Sequence, residues 1–206
     1  MAKENLKLDS TTEERIKEAA RAVFIKKGFN GTRTRDIAEE AGINLALLNY
    51  YFRSKERLFE IIMFETMLGF MQQMALVFNE ESTSIKQKVE KMVDSFTELL
   101  LREPNIPLFI MSEIRNDATG FLEKLPVANM VMSSVLVKQY QEAYKNGQVK
   151  EANPLHFITN LMALVQFPFI ASPLLKKMGN MSDPMFREFM LERKQIIPRL
   201  IGLSDK

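Results

Sequence analysis

Apolar residues recur at helical spacing along nearly the whole chain, and no stretch alternates apolar and polar residues long enough to argue for a strand. Ile16, Ala19, Ala20, Val23 and Phe24 fall on one face of a first helix, predicted over about Thr12 to Lys27. Thr11 and Glu14 are spaced as a capping box at its start, and Gly28 is placed to end it in a left-handed conformation. A short segment from Thr34 to Ala41 follows, with Ile37, Ala38 and Ala41 inward, and Gly42 closes it. A second short helix is predicted over about Leu45 to Tyr51. A long one starts at Ser54, whose hydroxyl can cap it, and runs to about Phe78. The polar tract Asn79 to Ser84 reads as a loop. Further helices are predicted at about 84–102, 107–116, 127–146, 154–177 and 184–201. Pro104, Pro107, Pro126 and Pro154 stand near helix starts, Gly120, Gly147 and Gly179 near ends. Pro168, Pro173 and Pro198 fall inside helical patterns and predict kinks. The pattern as a whole describes an all-α chain of about nine helices.

Composition fits a globular protein, at 46% hydrophobic and 26% charged residues. The chain has no cysteine, which excludes disulfides, thiolate metal sites and cysteine nucleophiles and suits a reducing compartment. No unbroken apolar run reaches the roughly 18 residues of a membrane span, and the first ten residues lack the apolar stretch of a signal peptide. A cytoplasmic protein without a membrane partner is expected. Charge is uneven: residues 1–57 hold 12 Lys and Arg against 9 Asp and Glu, the remainder 16 against 17. The basic part is the small N-terminal one, as phosphate binding would require. Methionine is uneven too. Thirteen of the 14 lie from Met63 onward, which suits a deformable interior around a cavity or simply an irregular core.

The stretch from Thr32 to Lys55 carries the chemistry. Two short helices meet at a tight turn on Gly42. Ala38 and Ala41 let them cross closely, and Ile37, Ile43 and Leu48 fill the space between. This is the construction of a helix-turn-helix. Outside its Leu48/Phe52 face, the second helix carries Leu45, Ala46, Leu47, Asn49, Tyr50 and Tyr51. Such a surface is costly in water. In a major groove its apolar groups can meet thymine methyls, and Asn49 can bond adenine or a phosphate. The alternative for the tyrosines, more for Tyr50 than for Tyr51, is packing against the first or fourth helix.

The run Ile16, Ala19-Ala20, Phe24, Lys27-Gly28-Phe29, Thr32, Asp36 to Ile43, Tyr51 to Glu56, Leu58-Phe59 resembles the N-terminal domain of the tetracycline-repressor (TetR) family. The resemblance covers about residues 12–60. It implies a three-helix DNA-binding domain over 1–57, with its motif at about 33–52. A helical bundle for ligand binding and dimerisation then spans 58–206. It also implies a recognition helix starting at Asn44 or Leu45, with Arg35 reaching a base edge. Thr34, Tyr51 and Lys55 then contact phosphate, and Arg33 adds a further contact. Asn49 stands where the family commonly has tyrosine, and Leu45 and Leu47 replace residues often polar or small. The operator is therefore expected to differ from those of tyrosine-bearing members.

A single small reading head binds weakly, so a homodimer on two half-sites of double-stranded DNA is expected. The resemblance places the dimer surface on the last two helices, with Phe157, Leu161, Leu164, Phe169, Leu174, Phe186, Phe189 and Ile197 as candidates. Met63, Met67, Phe70, Met74, Phe96, Leu100, Phe109 and Phe167 could line a cavity or be plain core. Gln73, Thr97, Asn160 or Gln166 could serve as polar anchors for a small, largely apolar effector. An enzyme finds little support. His156 is the single histidine, Glu39-Glu40 and Glu80-Glu81 are sequence neighbours rather than pairs across a cleft, and Ser133-Ser134 has no local base. No cofactor or metal is expected. The alternative is an architectural DNA-binding protein that takes no ligand.

Overall fold

The computed structural model describes residues 2–125 and 127–201, with side chains from Thr11 onward except Ala128; the expected helix start at Pro126 lies outside the described residues. All regular structure among the described residues is helical. In chain order it is α1 (Ala2–Gly31), α2 (Thr34–Glu40), α3 (Leu45–Phe52), α4 (Lys55–Asn79), α5 (Ile85–Arg102), α6 (Ile106–Lys124), α7 (Val127–Met132), α8 (Val135–Lys145), α9 (Pro154–Ile170), α10 (Ser172–Met178) and α11 (Asp183–Leu200). Two compact units divide within α4, between Met67 and Leu68.

The first unit is α1 to α3 with the opening turns of α4. Helix α1 starts well before Thr12 and runs through Thr11, so the expected capping box is not a helix start. Nothing from Ala2 to Ser10 breaks a helix: the segment lacks glycine and proline, and charged and long residues propagate well. Gly28 breaks α1 as expected, at φ 70°. Ile16, Ala20, Val23 and Phe24 are buried, and Phe24, Phe29 and Phe59 form a ring cluster with centroids 4.7–5.9 Å apart. Polar ties run from α1 to the start of α4. Lys17 Nζ lies 2.7 Å from Glu14 and from Glu65, and Arg21 donates to Thr66 Oγ1 at 2.5 Å. Burial pulls the Lys17 ammonium down, but bonds to Glu14 and Glu65 outweigh it and hold the group above the ordinary lysine range. These contacts extend the unit ten residues beyond position 57, because Leu58, Ile62, Met63 and Met67 bury their side chains here.

In the second unit α11 lies along α5, and α5 also packs on α8 and α9. Val89, Val93, Phe96 and Leu100 of α5, Leu136 and Val137 of α8, Leu161 and Val165 of α9, and Met190 and Ile197 of α11 fill its core. Lys194 of α11 clamps Asp94 and Glu98 of α5 at 2.7 and 2.6 Å. At the α4–α5 loop, Lys88 is buried, and its ammonium donates to the carbonyls of Glu80 and Thr83 and to Thr83 Oγ1, which pins the tract that the sequence marks as a loop. Burial lowers the Lys88 pKa from its ordinary value.

Eleven helices replace the expected nine because two long patterns are cut. The stretch 127–146 breaks at Ser133-Ser134, where Ser134 caps α8 by accepting from Val137 N–H. The stretch 154–177 breaks at Ala171, and α9 and α10 diverge by 70°. Pro173 therefore opens α10 rather than kinking a longer helix. Helix α6 runs beyond 116 to Lys124, past a non-helical Asp117. Helix α4 contains a window long and apolar enough for a membrane span, but Met63, Met67, Phe70, Met74 and Phe78 are buried in the protein.

Candidate nucleic-acid interface and apolar cavity

The turn between α2 and α3 is built by two backbone bonds. Ile43 N–H donates to Ala38 carbonyl at 3.0 Å and Gly42 N–H to Glu39 carbonyl at 3.1 Å. The pair closes a helix end around a left-handed residue, and Gly42 has φ 63°. Helix α3 restarts at once, because Asn44 Oδ1 accepts from Leu47 N–H at 2.8 Å. The Asn44 oxygen is thus committed to the cap, which leaves its amide N–H groups for a partner. Leu48 and Phe52 are buried, with Ile37, Ala38 and Ala41 beneath them.

The opposite side of α3 is open. Tyr50 is 76% exposed, and Ala46 and Asn49 are exposed beside it. Leu45, Leu47 and Tyr51 are half-buried, so the three larger apolar groups are partly sheltered. Tyr51 is the more sheltered of the two tyrosines, whereas the sequence expectation puts the greater weight on Tyr50 for packing on the first or fourth helix. It meets Tyr50 edge-on at 5.4 Å and lies 6.3 Å from Phe52. At the start of α2, Arg33 and Arg35 are exposed and Thr34 is half-buried. Arg33 is the N-cap residue, and its backbone N–H donates to Asp36 Oδ2 at 2.9 Å. Asp36 also pairs with Lys27 at 2.9 Å. The Arg33 N–H, then Lys27, hold the Asp36 carboxyl below the ordinary aspartate value.

Lys55 has a second task that spacing does not reveal. Its ammonium donates to the carbonyls of Phe29 at 3.0 Å and Thr32 at 3.1 Å and sits 4.3 Å over the Phe29 ring. It ties the start of α4 to the chain entering α2, leaving one N–H for anything outside.

A cavity of about 80 Å³ lies in the second unit, lined by Phe70, Met71, Met74, Phe78, Met92, Val127, Met130, Val131, Leu136, Phe157, Ile158, Leu161 and Met162. Of the sequence candidates, only Phe70 and Met74 reach it. Phe96 and Leu100 are buried core, Phe96 stacking on Phe70 at 4.9 Å. Met63 and Met67 belong to the first unit, Phe109 is buried in α6, and Phe167 is 61% exposed. None of the four expected polar anchors lines the cavity. Gln73 and Asn160 are exposed, Gln166 is half-buried, and Thr97 is fully buried with its hydroxyl unpartnered. The missed wall comes from Met71 and Phe78 of α4, Met92 of α5, Leu136 of α8, α7, and the α9 turn Phe157 to Met162, whose helical repeat reads equally well as an interface.

The same α9 face corrects the dimer candidates. Phe157, Leu161, Phe169, Phe186 and Ile197 are buried within the chain, where their side chains offer no surface to a second copy. Leu164 and Phe189 are half-buried and Leu174 is exposed.

Residues 16–62 match the family model described as bacterial regulatory proteins, tetR family. The HTH-type transcriptional regulator YttP of Bacillus subtilis is 27% identical over 198 residues, covering 90% of this chain and 91% of that one. Among solved structures, the hemolysin II transcriptional regulator HlyIIR superposes with a TM-score of 0.58 at 24% identity, covering 96% of this chain and 99% of that one. The transcriptional regulator FadR of Bacillus subtilis, in complex with stearoyl-CoA, does so with 0.55 at 17% identity, covering 93% and 99%. A helix-turn-helix followed by a second unit whose described residues are helical is the fold these solved structures share, and over residues 16–62 the chain carries the DNA-binding domain of the tetR family of bacterial regulatory proteins.

Proposed function

We propose that this regulator is a ligand-responsive repressor, binding a pseudo-palindromic operator as a homodimer and leaving it when a small, largely apolar effector binds. The observation that carries the DNA half is the outward face of α3. Tyr50 stands 76% exposed beside Ala46 and Asn49, while Leu48 and Phe52 anchor the helix from behind. A large aromatic held in water on a rigid helix is what a groove would repay. In this reading Asn44, Leu45, Ala46, Leu47, Asn49 and Tyr50 meet base edges with Arg35. Arg33, Thr34, Tyr51 and the remaining N–H of Lys55 meet phosphates. Selection of bound duplexes from a random pool tests it. Two inverted half-sites with centres about 34 Å apart are expected, and no enrichment over the input pool overturns it.

The effector half rests on the cavity. Its volume, about 80 Å³, is well below the roughly 300–1,000 Å³ of small-molecule sites. Five methionines line it, and such side chains repack easily. An effector must therefore open the cavity, and that is how it acts: it binds only the opened arrangement and shifts the population toward it. Helix α4 contributes to both units, burying Ile62 and Met63 in one and Met74 in the other. A change in its course is the route to the reading head. The wholly apolar lining favours an alkyl or acyl chain. Acyl thioesters, like the stearoyl-CoA held by the FadR structure, come first in a screen for compounds that release the selected duplex. If none releases it, the architectural reading takes over.

A further inference from the structure

The chain leaves the recognition helix through a turn that reverses on one residue. Arg53, between α3 and α4, has φ 59° and ψ −42°, and Ser54 N–H donates to Phe52 carbonyl at 2.6 Å. A bond from residue i+2 to residue i around a positive φ is the strained form of the γ-turn, seldom adopted by a residue with a Cβ. The two other positive-φ positions described in this unit, Gly28 and Gly42, are glycines. Glycine at 53 would make the same turn without steric cost. The sequence places a long cation there instead, and its side chain is exposed. Strain of this kind persists only where the surrounding structure over-determines it, and it clusters at functional sites.

The neighbours indicate the need. Asn49 and Tyr50 face outward within four residues of Arg53. The next cation, Lys55, spends two N–H donors on the carbonyls of Phe29 and Thr32. A guanidinium is always charged, and its planar fork matches two phosphate oxygens. We propose that Arg53 is a DNA-backbone contact: it clamps a phosphate beside the C-terminal end of α3 and so fixes the register in which α3 enters the groove. The inference rests on the proposed DNA-binding reading and adds to it a residue placed by backbone strain.

The test uses the full chain and a duplex that the wild type enriches from a random pool. Arg53→Gly should weaken binding about tenfold per half-site at low salt, on that duplex and on an unrelated one alike. It should also reduce the slope of log K against log salt by about 0.9 per half-site, hence about 1.8 on a duplex that holds both copies of the dimer. Its thermal midpoint should not fall, because glycine relieves the turn. Arg53→Lys should keep the wild-type slope. Arg53→Asn, neutral and tolerant of positive φ, should behave as Arg53→Gly, which separates lost charge from a loosened turn. Wild-type affinity and slope in Arg53→Gly overturn the proposal. So does a loss in Arg53→Gly that leaves the slope unchanged and is absent from Arg53→Asn. A wild type that enriches no duplex removes the DNA-binding reading itself, and this contact with it.

Discussion

In the proposed reading Lys55 serves scaffold and interface together. Without its ammonium, the carbonyls of Phe29 and Thr32 lose their donor at the junction of three helices. A charged donor to a carbonyl contributes about 1.5–3 kcal/mol, so Lys55→Ala should lower stability by about 2 kcal/mol, read from urea unfolding. The phosphate role adds a separate signature: weaker binding on every duplex and a salt slope smaller by about one per half-site. A destabilised variant with an unchanged slope would leave Lys55 only its scaffold task. Asp36 is a titrating counterpart. Its carboxyl is held low by the Arg33 N–H and by Lys27, so its contribution is fully present above the ordinary value of 3.8 and is lost as pH falls through the lower folded value. Asp36→Asn still offers an oxygen to Arg33 but loses the ion pair. Wild type and variant should therefore differ slightly at neutral pH and converge as the pH drops well below 3.8; a gap that persists there would mean the side chain acts through its shape.

At the scale of elements, the helix-turn-helix was legible because its signals are local. Gly42 has to supply a positive φ, Asn44 has to cap, and small Ala38 and Ala41 sit where helices cross. The second unit was less legible because apolar periodicity continues across its breaks. Nothing in the repeat distinguishes Ser133-Ser134 inside a helix from the same pair between two, and their hydroxyls bond carbonyls of the preceding turn in either case. Most of the cavity wall was missed for a related reason: a buried methionine looks the same in sequence whether it faces a void or a neighbour. Its wall now allows a direct test. Val131→Phe puts a ring into a space of about 80 Å³. The thermal midpoint should hold or rise, operator binding should survive, and release by any effector found in the screen should fail. Normal release from the filled cavity would place the effector elsewhere.

For the whole molecule, the open question is what covers the apolar side chains left outside on the last helices. Phe167, Leu174, Met178, Met185 and Leu200 are 52–74% exposed, all on α9, α10 and α11. Helix α10 buries none of its residues in its own protomer. An isologous contact uses the same patch on both copies, so a few large groups cover one another. Leu76 on α4 is 77% exposed and outside this set, which makes it a control that is at least as exposed. Phe167→Asp adds a charge to the proposed interface without touching the protomer core. It should convert the dimer mass expected in light scattering to a monomer mass. Full-operator affinity should fall about 10²–10⁴-fold as the second half-site is lost, while affinity for a single half-site stays unchanged. Leu76→Asp should do neither. A Phe167→Asp protein that remains dimeric and keeps full operator affinity would take Phe167, and the α9–α11 face with it, out of the contact.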